Sequence, residues 1–148
     1  MTVSFESVTT ARCSPEEMFD RARDIAEHIS SQVASGERAV AGVVEGRIGL
    51  GESVTWRARH FGLAFSLTSK VTSFSPGRYF VDEQTQGPFR KFRHEHWFEP
   101  DGEGVIMIDR VTFSAPFGVF GRMAERLVLA KYLRRLIEER GRFLSGLC

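Results

Sequence analysis

Polar and apolar residues alternate along this chain with two different periods, and the change of period divides it. Val3–Arg12, "VSFESVTTAR", is rich in β-formers and predicts a first strand. Five more strand-like segments follow between Ser53 and Ala115: "SVTWRARHF", "LAFSLTSKVTSF", "RYFVDEQTQ", "FRKFRHEHWFEP" and "GVIMIDRVTFSA". Gly62, Ser75-Pro76-Gly77, Gly87-Pro88 and Asp101-Gly102 punctuate them as turns. Spacing this close predicts an antiparallel meander.

Two segments follow the helical period instead. In "CSPEEMFD", Ser14 is an N-cap, Pro15 suits the first helical position and Glu17 completes a Ser-x-x-Glu capping box. Met18, Phe19, Ala22, Ile25 and Ala26 then recur at helical spacing, predicting a helix from Pro15 to near Ile29, broken once. From about Phe117 to Leu144 there is no proline, and Leu, Ala, Glu and Arg dominate. Phe120, Met123, Leu127, Ala130, Leu133 and Ile137 fall near one stripe, with Arg and Glu over much of the rest, as in a long amphipathic helix. Between Gly36 and Gly51 the signal is weak; a strand near 39–46 and a turn at Gly49-Leu50-Gly51 are the reading.

A single antiparallel sheet needs one face covered, and the C-terminal helix is the element available to cover it. The fold class is therefore α+β: a curved antiparallel sheet of about six or seven strands wrapped around a long C-terminal helix, in one domain over residues 1–148. A curved sheet gripping a helix leaves room between them for a ligand cavity.

Composition narrows the functions. The chain has 42% apolar and 26% charged residues, as in ordinary globular domains. A net charge of +1 gives no drive toward nucleic acid or an anionic membrane. No apolar run reaches spanning length, and the first residues do not read as a secretory signal, so the cytoplasm is the expected compartment. Cys13 and Cys148 lie far apart without metal or redox spacing and read as free thiols. Gly46–Gly51, "GRIGLG", lacks the Lys-Ser/Thr and following helix of a phosphate loop and reads as a turn.

The chemistry sits in "GPFRKFRHEHWFEP". Residues two apart on a strand share a face, so His94 and His96 stand side by side, about 7 Å apart at Cα. Phe92 and Phe98 share that face, while Lys91, Arg93, Glu95 and Trp97 take the other. In the next strand Met107, Asp109, Val111 and Phe113 share one face. A four-residue turn places Glu99 opposite Gly104, His94 opposite Asp109 and His96 opposite Met107. Val54, Trp56, Ala58 and His60 form a further candidate inner row; in "RYFVDEQTQ" the inner face is open between Asp82/Gln84 and Glu83.

Three roles suit a buried His94, His96 and Asp109. They can pair with one another as structure. They can orient a carbonyl or hydroxyl in an apolar cavity. Or a histidine held by Asp109 can act as general acid or base. His-x-His is also a metal geometry, with Asp109 or His60 as a third ligand, but two ligands in sequence are a weak signal. The reading takes no metal and no cofactor.

"SPEEMFD", "RYFVDEQTQGPFRKFRHEHWFEP", "DRVTFSAPFG" and the terminal helix, in that order, resemble the helix-grip superfamily of START-like, or SRPBCC, proteins. The nearest resemblance is to its small bacterial polyketide cyclase/dehydrase-like branch. It covers nearly the whole chain and is weakest from His28 to Gly51, a region that commonly lines the cavity mouth. The resemblance implies a fold that hosts ligand binding, lipid transfer and enzymatic members. With the residues, it makes binding of a small, mainly hydrophobic molecule the expected function. Trp56, Phe92, His94, His96, Asp109 and Phe113 from the sheet, and Met123 and Leu127 from the helix, are the expected contacts. A cyclase/dehydrase-type enzyme using His94 or His96 is the alternative, and a protein-interaction module without ligand a third. No nucleic-acid partner and no integral membrane segment are expected; a homodimer stays open.

Overall fold

The computed structural model of the chain describes residues 2–115 and 123–148, with side chains in the final helix from 126 onward. Seven strands make one antiparallel sheet: β1 (Thr2–Ala11), β2 (Arg38–Gly42), β3 (Ser53–His60), β4 (Leu63–Ser75), β5 (Tyr79–Gln86), β6 (Lys91–Asp101) and β7 (Gly104–Ser114). Their order is β1-β7-β6-β5-β4-β3-β2, so the meander runs across the sheet and the first strand closes it beside the last. Helices α1 (Pro15–Arg23) and α2 (Ile25–Ser31) follow β1, and α3 (Met123–Ser145) ends the chain. The α+β helix-grip architecture read from the pattern is the one adopted.

Local chemistry explains most boundaries. The Glu17 amide donates to Ser14 Oγ at 3.1 Å, which caps α1. The capping box itself does not close, because the Glu17 carboxylate turns to Arg21 at 3.2 Å. The break between α1 and α2 falls at Asp24, whose side chain accepts the Glu27 amide at 3.0 Å and so starts the second helix. β2 is shorter than the sequence suggests and is bulged between Ala39 and Ala41. Gly42 ends it at φ 74°, where an added Cβ would lie 2.2 Å from the Ser53 carbonyl oxygen.

The β6–β7 hairpin corrects the expected register. Asp101 pairs with Gly104 across the two-residue turn Gly102-Glu103, so His96 faces Asp109 and His94 faces Val111. The turn is two residues shorter than anticipated, and Gly102 takes the positive φ, 60°, that such tight turns favour. A slip of two keeps every side chain on its face, so the inner row of His94, His96, Met107 and Asp109 is unaffected.

Apolar packing gathers at two ends of the inner face. At one, Met18, Phe19 and Ile25 of α1–α2 pack with Val71, Phe80, Phe98, Val105, Met107 and Leu144. The Phe19 ring meets Phe74, Phe80 and Phe98 edge-on at 5.3, 5.6 and 5.5 Å. At the other end Phe5, Val111, Phe113 and Leu129 pack with Phe89, Phe92, Leu133 and Ile137. Gly141 lets α3 lie close on β1, since a Cβ there would sit 2.3 Å from Thr9 Oγ1. Among the described residues no helix is long and apolar enough to cross a membrane.

The cysteines also differ from expectation. Cys13 and Cys148 are joined as a disulfide, with Cα atoms 5.2 Å apart across 135 residues of sequence. Free thiols are the natural reading of two distant cysteines. Folding brings them together because Leu144 at the end of α3 packs into the Met18/Phe19 core beside Cys13. Reducing this bond, or the change Cys148→Ser, is expected to lower stability by about 2–4 kcal/mol, because the open chain regains conformational freedom when unfolded. Denaturant midpoints with and without reductant check it; equal midpoints would show that the pair contributes nothing.

Candidate functional site

The concave face of the sheet and α3 do not meet everywhere. Between them lies a cavity of about 560 Å³. Its walls are mainly apolar: Val54, Trp56, Phe65 and Leu67 from β3–β4, Phe89 and Phe92 before and on β6, and Leu129, Leu133, Leu136 and Ile137 from α3. That mixture of apolar lining and few polar groups is the usual make-up of a small-molecule site.

Five of the polar residues in the lining, Ser69, Asp82, His94, His96 and Arg140, belong to one network with the buried Asp109. His94 Nε2 lies 2.8 Å from Asp109 Oδ1. His96 Nε2 lies 2.6 Å from Asp82 Oδ2, and its Nδ1 is 3.3 Å from Asp109 Oδ1. Arg140 of α3 reaches Asp109 Oδ1 through Nη1 at 3.3 Å and donates from Nη2 to the Ala22 carbonyl at 3.0 Å. Ser69 Oγ donates to Asp82 Oδ1 at 3.0 Å. The two imidazoles stack at 3.7 Å, and Phe80 stacks on His96 at 4.0 Å, making a column of three rings. Asp109 is 0% exposed and Arg140 2%, so these charges are held by one another and not by water.

The network sets protonation. Burial works to raise the Asp82 carboxyl, but the His96 hydrogen bond and the charges of His96 and His94 outweigh it and hold the pKa at about 2. Burial likewise opposes ionisation of Asp109, yet the bonds from His94 and His96, with His94 and Arg140 charges nearby, hold it far below the carboxylate range. His94 moves down from its ordinary value, through burial first and the neighbouring His96 second, against the support of Asp109.

A second set of aromatic and titratable groups lines another part of the cavity. His28 stacks on Trp56 at 4.1 Å and pairs with Glu37. His60 Nδ1 is 2.7 Å from the Tyr132 hydroxyl, and the Phe61 ring lies 4.6 Å from Tyr132. Phe61 holds φ 54°, an uncommon conformation for a bulky residue, at the β3–β4 turn.

Of the residues read from sequence, Trp56, Phe92, His94 and His96 line the cavity. Asp109 and Phe113 are buried behind that lining, Asp109 in contact with both histidines and Phe113 against Phe89. Leu127 is a correction: it is 58% exposed and faces away. The stripe from Phe120 to Ile137 advances 17 residues in five steps, about 3.4 per turn, and so winds roughly 100° around a 3.6-residue helix. Phe120 and the side chain of Met123 lie outside the described residues.

Three contributors escaped the sequence reading. Asp82 is on the inner face of β5, opposite His94 in register, a choice the alternation had left open. It, not Asp109 or His60, completes the group of three with His94 and His96 whose ligand atoms lie within 4.8 Å of one another. Each of the three could offer a metal ion one atom, and the Nε2 atoms of both histidines already face carboxylates. Arg140 carried a usable signal: a lone cation seven, three and four residues from Leu133, Ile137 and Leu144, in an otherwise apolar row. Tyr132 had none.

A family model described as polyketide cyclase/dehydrase and lipid transport matches residues 2–142. Among solved structures, TTHA0849 from Thermus thermophilus is 17% identical, with a TM-score of 0.80 over 97% of this chain and 95% of that one. The Zhui aromatase/cyclase from Streptomyces sp. R1128 is 14% identical, with a TM-score of 0.78 over 99% and 93%. Ara h 8.0201 is 14% identical, with a TM-score of 0.67 over 99% of each chain. No curated protein matches the sequence. At these identities the structures establish the fold.

The shifts give stability a definite pH dependence. A carboxyl lowered from 3.8 to about 2 contributes above 3.8 and is lost as pH falls through about 2. A histidine lowered from 6.5 also favours the fold at higher pH, and its contribution shrinks as pH drops below 6.5. Stability should therefore decline in two acid stages, with Asp82→Asn reducing the lower one, which Asp109, also held below its ordinary value, shares. Urea midpoints from pH 8 to pH 2 test this, and a flat profile down to pH 4 would contradict the His94 part. In an NMR titration, Asp109→Asn should move His94 further down, since a carboxylate supports imidazolium.

Proposed function

The chain belongs to the polyketide cyclase/dehydrase and lipid-transport family, and from that premise we propose that it binds a small, mainly hydrophobic molecule in the cavity between the sheet and α3. The observation that carries the proposal is the cavity itself: about 560 Å³ of unfilled space, walled largely by aromatic and aliphatic side chains, with the buried network of His94 and His96 on its sheet side and the His28–Glu37 and His60–Tyr132 pairs elsewhere in its lining. Close-packed interiors do not leave such space without cost. An interaction module without ligand would have filled it with side chains.

Burial of apolar surface supplies the affinity, about 2.5 kcal/mol for each 100 Å² removed from water before the costs of association. Trp56 and Phe92 offer flat apolar contacts, and His94 and His96 present ring faces and edges among them. Asp109 and Arg140 act from behind, holding the histidines in place.

One observation favours a second reading. His94 is oriented by a buried carboxylate at 2.8 Å and its neutral form is favoured, the arrangement of a general base. A cyclase or dehydrase reaction would use it to move a proton on a bound carbonyl compound. Binding that survives His94→Ala while turnover disappears would mark the enzyme.

A native mass spectrum of gently purified protein should show a retained small molecule. A fluorescent hydrophobic probe should bind saturably to the ligand-free protein, and Trp56→Glu should abolish that binding while leaving a cooperative melt. Probe binding undisturbed by Trp56→Glu would place the site elsewhere.

A further inference from the structure

The buried network fixes the hydrogen-bonding polarity of the cavity wall. His94 Nε2 faces the Asp109 carboxylate at 2.8 Å, and a carboxylate only accepts, so Nε2 carries the hydrogen. His96 Nε2 likewise faces the Asp82 carboxylate, at 2.6 Å, and carries a hydrogen toward it. Among the described residues no carboxylate engages the other nitrogen of His94, so nothing there holds a second proton. Its lowered pKa agrees. In the neutral Nε2–H tautomer, Nδ1 is an acceptor. Among the described residues Nδ1 has no hydrogen-bond partner, and His94 lines the cavity.

The neighbouring polar atoms have the same character. Asp82 accepts from Ser69 and His96, and Asp82 and Ser69 both line the cavity. The Arg140 guanidinium is engaged by Asp109 and the Ala22 carbonyl. A ligand carbonyl or carboxylate placed here would set its lone pairs against those of His94 and Asp82. A ligand hydroxyl would instead complete the hydrogen bonding of Nδ1.

The geometry points to a ligand class: an uncharged apolar molecule whose one buried polar group is a weakly acidic hydroxyl, phenol or enol, donating to Nδ1 of His94. This rests on the cavity being the binding site and adds which chemistry it selects. The Asp109–His94 pair makes Nδ1 more basic than a free imidazole nitrogen in the same apolar surround, and so favours an acidic hydroxyl over an aliphatic one. Fatty carboxylates and phosphate-headed lipids are disfavoured at this end.

The test uses the intact protein and four probes of one shape: 2-naphthol, 2-methoxynaphthalene, naphthalene and 2-naphthoate. By fluorescence or calorimetry, 2-naphthol should bind roughly five- to tenfold tighter than 2-methoxynaphthalene and naphthalene, the scale of one hydrogen bond, with 2-naphthoate weakest. His94→Phe should erase the difference between 2-naphthol and 2-methoxynaphthalene, with naphthalene binding as the control for folding. Should that variant not fold, the four-probe ranking on the unaltered protein still decides. Equal binding of 2-naphthol and naphthalene would overturn the hydroxyl assignment and leave the hydrophobic cavity standing. Tightest binding by 2-naphthoate would overturn it in favour of Arg140 as the polar partner. No binding by any of the four would overturn both the assignment and the cavity reading beneath it.

Discussion

One carboxylate ties the molecule together. Asp109 is wholly buried on β7, where it meets two histidines from β6 and the Arg140 guanidinium from α3. Through Arg140 the same contact reaches the Ala22 carbonyl of α1. Three layers of the fold, the first helix, the sheet and the last helix, thus share a single buried junction. Removing one partner would strand a buried charge, which costs far more than the pair contributes when intact.

This junction also explains why an internal space survives. Apolar packing is concentrated at two ends, the Met18/Phe19 cluster and the Phe5/Phe113 cluster, and the buried network stands on the sheet between them. Side chains that must hold hydrogen-bond geometry do not close over a void as leucines would. The Phe80–His96–His94 ring column keeps the sheet side of the cavity flat and rigid. A stiff wall with fixed donors and acceptors is suited to orienting a bound molecule, and the same stiffness positions a base, so binding and proton transfer remain close neighbours in this architecture.

Much of this was legible in the residues. Alternation placed His94, His96 and Asp109 on one inner face, and the segments from Ser53 onward named the meander. The pairing of His94 with Asp109 holds although the expected register was two residues out, because the contact is diagonal in the true register and both residues kept their face. Asp82 was less legible: Phe80 and Val81 are both apolar, so neither face of that strand declared itself. Both are buried in the fold, which is why the pattern was mute. Arg140 was overlooked because a cation in an apolar row is ordinarily read as a flanking residue.

The sequence by itself determined the kinds of element, their order and which strand residues face inward, since these follow from periods of two and 3.6 that neighbouring residues set among themselves. Tertiary structure alone decided the rest. A two-residue change of register and a rotation of α3 about its axis leave the local pattern nearly the same, so only packing could place Leu129 and Leu136 inward and Leu127 outward. The Cys13–Cys148 bond joins positions 135 residues apart. The cavity belongs to no segment at all: it is the volume left where two packed ends and one network of charges hold a sheet and a helix apart.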